Sequence, residues 1–242
     1  MQCDYHRIVL KISGESFASE GSLGIETDAL DQMAAQISEA SSVTQVAVVV
    51  GGGNIIRGAR MAESGHIDQS TADYMGMLGT VINGLALKEA LQNKGCDARV
   101  MSAINLTSVA EPFIRARALR HMEKGRVVIL VAGTGNPFFT TDTCAALRGV
   151  ELGADILLKA TKVDGIYDSD PNKNPDAVRF DMISFHEAVD RQLGVMDLTA
   201  ITMCMENDLP ICVFDFKTSG NIQRVIAGDR IGTLVTNQAA TA

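Results

Sequence analysis

The stretch Val46-Ala47-Val48-Val49-Val50-Gly51-Gly52-Gly53 decides the fold. Its first five residues are all apolar, four of them β-branched, so a strand here has no polar face to turn to water. Such a strand must be covered on both sides, as in a parallel sheet flanked by helices. Three glycines follow at its carboxyl end, the place where open α/β sheets hold ligands. Val127-Val128-Ile129-Leu130-Val131 repeats the pattern and runs into Ala132-Gly133-Thr134-Gly135. Working outward, short apolar runs predict further strands at 7–12, 98–101, 155–159, 211–214 and 233–235. Helical periodicity predicts helices over 27–39, 71–93, 114–123, 143–152, 185–192, 198–207 and 222–227, with Thr27 as a cap and Gly95 as a stop. Strands alternating with helices imply βαβ units. The expected architecture is a three-layer α/β/α sandwich with a central, mostly parallel sheet, one domain over residues 1–242.

The composition narrows the classes of function. In 242 residues there are 21 basic and 29 acidic side chains, a formal net charge of −8, which argues against a nucleic-acid partner held through its backbone. No apolar run reaches the roughly 18–20 residues needed to cross a bilayer, so no membrane association is expected. The first residues, Met1-Gln2-Cys3-Asp4-Tyr5-His6-Arg7, carry no signal-peptide pattern. Cys3, Cys96, Cys144, Cys204 and Cys212 are odd in number, widely spaced and without a CxxC, as suits free thiols in a reducing cytoplasm. His6, His66, His121 and His186 are equally scattered, and no zinc or iron site is expected from them.

The chemistry sits after the strands. Lys11-Ile12-Ser13-Gly14-Glu15-Ser16 puts a mobile cation beside bare backbone N–H groups, a pairing that suits phosphate. Gly51-Gly52-Gly53-Asn54-Ile55-Ile56-Arg57-Gly58 offers positive φ, close backbone approach and a guanidinium fork. Gly133-Thr134-Gly135-Asn136-Pro137-Phe138-Phe139-Thr140-Thr141-Asp142 reads as a nucleobase or ring pocket running into a helix N-terminus, with Thr141-Asp142-Thr143 supplying cap chemistry. Lys159 through Asp170, with Lys162, Asp164, Gly165 and Tyr167, could clasp a nucleotide or could be ordinary turn chemistry. Neither a Walker loop, a GxGxxG nor the protein-kinase motifs occur. The four loops together point to a crevice that holds phosphates without a P-loop.

These strings, with Asp73-Tyr74-Met75-Gly76-Met77-Leu78 and Val195-Met196-Asp197-Leu198, closely resemble the bacterial uridylate (UMP) kinases of the amino acid kinase superfamily, in the same order and over essentially the whole chain. Tyr74 and Gly79 stand where many relatives carry His or Ala. The resemblance implies ATP + UMP → ADP + UDP with Mg²⁺, in a cytoplasmic homohexamer regulated by GTP as activator and UTP as inhibitor, the GTP response lying at 20–24. It implies ATP contacts from Lys11, Ile12, Ser13, Gly14, Gly53, Arg57, Thr161, Tyr167 and Asp170. It implies UMP contacts from Gly52, Asp73, Thr134, Gly135, Asn136, Pro137, Phe138, Phe139, Thr140 and Thr141. No residue is expected to hold a metal directly.

A UMP phosphate is already largely ionised at neutral pH, so the reaction needs charge neutralisation and alignment rather than a general base. On that reasoning Lys11 bridges the transferring group, Lys159 or Lys162 assists, Asp142 orients the lysines, and Asp197 completes the catalytic set. Another superfamily kinase acting on a carboxylate or carbamate is the nearest alternative. A non-enzymatic oxoanion store, holding molybdate or tungstate as the related molybdenum storage proteins do, is the alternative from a different class.

Overall fold

The computed structural model describes residues 4–19, 23–56, 65–171 and 173–238. Arg57 and the first part of the 20–24 segment therefore lie outside the described residues. The strands are β1 (Arg7–Ile12), β2 (Gln45–Val50), β3 (Ala98–Ser102), β4 (Glu111–Pro112), β5 (Val127–Val131), β6 (Ile156–Thr161), β7 (Met182–Ser184), β8 (Ile211–Asp215) and β9 (Thr233–Thr236). They form one sheet in the order β4-β3-β5-β2-β1-β6-β8-β9-β7. Every pairing is parallel except β8 with β9.

The helices are α1 (Thr27–Ser41), α2 (Gln69–Asn93), α3 (Arg115–Glu123), α4 (Thr141–Leu152), α5 (Phe185–Asp190), α6 (Leu198–Glu206) and α7 (Asn221–Ile226), with a 3₁₀ turn at Gly14–Phe17. The two-residue side-chain period of the strands sorts them into layers. Ile8, Leu10, Val46 and Val48 pack with Met33 and Ile37 of α1, Val81 and Leu87 of α2, and Ile222 of α7. Val9, Ala47, Val49 and Val128 pack on the other face with Met122 of α3, Ala145 of α4, Phe185 of α5 and Ile201 of α6. The all-apolar reading of β2 and β5 is explained, because helices bury both of their faces.

Boundaries differ from the sequence reading where capping decides them. Helix α2 begins at Gln69, not 71, because Asp68 accepts from the Thr71 N–H at 3.0 Å. Thr27 is the first residue of α1 and not its cap; the cap position belongs to Glu26, whose carboxylate accepts from Ser19 instead. Helix α4 begins at Thr141, with Thr140 as the cap accepting from the Asp142 and Thr143 N–H groups. Strand β6 starts one residue later than expected, since the Asp155 side chain is taken by the Arg7 N–H at 2.7 Å, and runs on to Thr161. The edge strands β4 and β7 are two and three residues long, too short to show an alternation.

The glycines after β2 do not supply the positive φ that the sequence suggests. None of Gly51, Gly52 and Gly53 has a positive φ. Instead a Cβ on Gly52 would fall 2.6 Å from the Gly76 carbonyl oxygen and 2.9 Å from the Thr80 nitrogen, both backbone atoms of α2. The Gly52→Ala variant should lose about 1–3 kcal/mol of stability, as overpacked sites do. Gly53→Ala, whose Cβ would meet nothing within 4 Å, should stay within about 0.5 kcal/mol of the parent. Urea titrations of the two compare them directly, and equal losses would refute the close-approach account.

Candidate active site

Residues 11 and 159 are register partners on the neighbouring parallel strands β1 and β6. Period two places both lysines on the face covered by α4. There the Lys11 ammonium lies 2.7 Å from Asp142 Oδ1, and the Lys159 ammonium donates to Asp142 Oδ2 at 2.9 Å. Lys159 also donates to the Val195 carbonyl. All three side chains are at most 15% exposed, so solvent screens the cluster little. Burial acts to raise the Asp142 carboxyl pKa, yet the charges of Lys11 and Lys159 outweigh it and hold the group below its ordinary value. Burial is the largest influence on Lys159 and lowers it; the attraction of Asp142 opposes that, and repulsion from Lys11 adds to it.

Asp197 stands one step behind this cluster. Its carboxylate caps α6 by accepting from the Ala200 N–H at 3.0 Å. It also accepts from the Thr140 hydroxyl at 2.5 Å and the Thr143 hydroxyl at 2.9 Å. One carboxylate thus ties the starts of α4 and α6 together, and its charge is also felt by Lys159. Lys162 is apart from the other two lysines and pairs with Glu15 at 3.5 Å.

Two cavities flank the cluster. One, of about 160 Å³, is lined by Gly52, Gly53, Asp73, Thr134, Phe139 and Thr141 among others. The other, of about 500 Å³, is lined by Lys159, Thr161, Tyr167, Asp170 and Val195 among others. Asp142 follows Thr141 of the first cavity and holds Lys159 of the second, so the ion cluster stands at their boundary. Gly53, expected with ATP, lies in the smaller cavity. Ile12 is fully buried in the core and offers only its backbone, while Gly14 packs against the Gly53 nitrogen and Ser13 precedes the 3₁₀ turn. Tyr167 donates to Asp164 at 2.6 Å, and Thr161 donates to the Val163 carbonyl at 2.6 Å.

The loop from Ala132 to Thr140 is tightly wound. Ala132, Gly133, Gly135 and Phe138 all have positive φ, a conformation costly for an aromatic residue unless its surroundings hold it. Asp73 supplies the hold, accepting from the Phe138 N–H at 2.7 Å. Gly135, Asn136, Pro137, Phe138 and Thr140 do not line the smaller cavity; Phe138 is 75% exposed and Thr140 is occupied as the cap.

Three residues that position this crevice escaped the sequence reading. Thr80 accepts from the Ala132 N–H at 2.7 Å and so fixes the start of the loop. Asn83, fully buried, donates to the Gly51 carbonyl at 2.7 Å and pairs with the Asn54 side chain. Asn54 in turn donates to the Gly24 carbonyl at 2.7 Å. The available signal was a threonine and an asparagine three residues apart in the apolar middle of α2. Periodicity treats them as interruptions, although a buried amide needs partners and so marks a fixed contact.

The family model described as the amino acid kinase family matches residues 6–215. The structure of the UMP kinase from Bacillus anthracis superposes with a TM-score of 0.94 at 37% identity, covering 97% of this chain and 97% of that one. That of the UMP kinase from Ureaplasma parvum gives 0.91 at 39%, covering 98% and 100%. A uridylate kinase from Archaeoglobus fulgidus gives 0.74 at 27%, covering 95% and 99%.

Asp142→Asn should cost on the order of 3 kcal/mol, because two buried ammonium groups lose their shared partner. The carboxyl pKa is depressed in the folded chain, so its contribution is present above the unfolded carboxyl pKa and is lost as pH falls through the folded one. Lys159 loses an opposing attraction in this variant and should titrate at a still lower pH. NMR titration of the Lys159 side chain reads this shift, and an unmoved midpoint would remove Asp142 from its role.

Proposed function

The chain belongs to the amino acid kinase family, and from that premise we propose that it transfers the γ-phosphoryl group of ATP to UMP, forming ADP and UDP. The observation that carries this reading is the Lys11–Asp142–Lys159 cluster at the boundary of two cavities. Transfer between two phosphates is opposed chiefly by their mutual repulsion, and the remedy is fixed positive charge and alignment. The larger cavity suits the donor nucleotide and the smaller one the acceptor. Lys11 and Lys159 then face the charge that builds on the transferring oxygens. Asp142 keeps both lysines in place before substrate arrives, so little reorganisation is needed at the moment of transfer. The acceptor phosphate, with a second pKa near 6, attacks as an anion, and no side chain has to remove a proton from it.

Asp73 lines the acceptor cavity and carries oxygens that ribose hydroxyls could meet. Asp197 acts through Thr140 and Thr143 to fix where α4 begins. A Mg²⁺ ion entering with ATP would supply charge neutralisation and would need few ligands from the protein. Among the described residues no group of three or more His, Cys, Asp or Glu is placed to hold a metal, and Asp142 is committed to the lysines. A resident metal site does not fit the described residues.

The resemblance to UMP kinases supports a single catalytic domain in pyrimidine nucleotide biosynthesis, cytoplasmic and homohexameric, with GTP and UTP as effectors. No helix among the described residues is long and apolar enough to cross a membrane. Tyr74, Leu78 and Ile82 lie four residues apart along α2 and are each nearly half exposed, an apolar stripe that supports self-association.

Coupled assay of ADP release with UMP tests the reading. Lys11→Ala should lose on the order of 10²–10³ in kcat with little change in UMP affinity, as when a transition-state donor is removed. Near-normal turnover would strike Lys11 from the mechanism. Asp73→Asn should mainly raise the KM for UMP; an unchanged KM with lost turnover would assign it elsewhere.

A further inference from the structure

Among the described residues, Tyr167 is the aromatic side chain in the wall of the larger cavity. A phenol has one proton to give, and this one is committed: the hydroxyl donates to Asp164 Oδ1 at 2.6 Å. With no proton left for a phosphate oxygen, what Tyr167 offers a nucleotide is the face of its ring. A ring face serves as a binding surface only where it is held still.

Two residues outside the cavity wall hold it. Asp164 Oδ2 accepts from the Arg179 guanidinium at 3.0 Å, and Arg179 also reaches Asp181 at 3.4 Å. Neither Asp164 nor Arg179 lines the cavity. The backbone sets this arrangement. Tyr167 and Arg179 stand opposite each other in an antiparallel bridge. The Phe180 N–H donates to the Ile166 carbonyl at 2.9 Å on one side of it, and the Asp168 N–H to the Val178 carbonyl at 3.0 Å on the other. Cross-strand neighbours meet side by side, and Asp164 accepts a hydrogen bond from each of them. A Cβ on Gly165 would fall 2.7 Å from Arg179 Cδ, so the turn lies directly on the arginine stem. The Tyr167 hydrogen bond, with the Arg179 charge, holds the Asp164 carboxyl below its ordinary value despite burial. Asp164 in turn holds the Tyr167 phenol above its own.

We propose that Asp164, backed by Arg179, is a positioning residue for the donor: it fixes the Tyr167 ring as the surface on which the nucleoside half of ATP packs, without touching the nucleotide. This rests on the kinase reading and deepens it, dividing the donor cavity into a phosphate end at Lys159 and a nucleoside end at Tyr167. Arg179 balances the Asp164 charge, which would otherwise oppose a polyphosphate nearby.

Steady-state kinetics of the full chain test this. Asp164→Ala and Tyr167→Phe should each raise the KM for ATP roughly two- to tenfold, with kcat and the KM for UMP within about twofold of the parent. In the double variant the two effects should not multiply, because each breaks the same bond. Asp164→Asn keeps an oxygen for the phenol proton and should lie between the parent and Asp164→Ala. Asp164 is exposed, so its variants fold. Ultraviolet titration of the phenols gives a second readout: the Tyr167 midpoint should fall towards the ordinary value in Asp164→Ala. An unmoved midpoint, an unchanged KM for ATP in Asp164→Ala, or effects that multiply in the double variant would overturn the inference. A parent that forms no UDP would instead overturn the kinase reading, and the ATP affinities of the same variants by isothermal titration would then decide this one.

Discussion

Two ammonium groups at matching register on neighbouring strands are a standing conflict. Parallel strands lie about 4.8 Å apart, and like charges at that spacing repel by roughly 3 kcal/mol at the effective dielectric of a protein near its surface. Asp142 resolves the conflict by meeting one lysine with each carboxylate oxygen. Much else is arranged around that carboxylate. Helix α4 has to start one residue before it, Thr140 has to cap that start, and Asp197 has to hold Thr140 while it caps α6. The cluster is a geometric consequence of strand register, and the chemistry follows from it.

The smaller cavity depends on how closely backbones can approach. The Gly52 Cα is wedged against α2, and the Asn54–Asn83 pair pins the neighbouring Gly51 carbonyl. Thr80, one turn along α2 from Gly76, fixes the Ala132 N–H. A single long helix therefore sets the positions of the loops after β2 and β5 together.

The layers, the parallel sheet and most strand-end loops could be read from the sequence because they are written in local patterns. Apolar runs of five residues and glycine clusters need no knowledge of distant neighbours. What escaped was long-range pairing between short polar side chains. Thr140 with Asp197, and Asn54 with Asn83, are 57 and 29 residues apart, and neither pair leaves a periodic trace. The choice between Lys159 and Lys162 had the same cause: it rests on register against β1, which a list of residues does not contain. The positive φ expected of the triple glycine failed for a related reason, since what requires glycine at residue 52 is a clash with another helix, which local sequence does not show.

The first strand in the chain is also among the most central in the sheet. Strand β1 has β2 on one side, only a short helical excursion away, but its other neighbour β6 begins at Ile156. During synthesis, when a chain emerges from its N-terminus, one edge of β1 must wait while well over a hundred further residues are made. Until then Lys11 lacks its register partner Lys159, although Asp142 has already been made. The half-made protein therefore carries an exposed apolar strand edge, the kind of surface that pairs wrongly with other chains. The interaction that assembles the candidate site is thus also among those that close the sheet, so a ribosome-bound fragment ending before β6 holds Lys11 and Asp142 without the second lysine of the cluster.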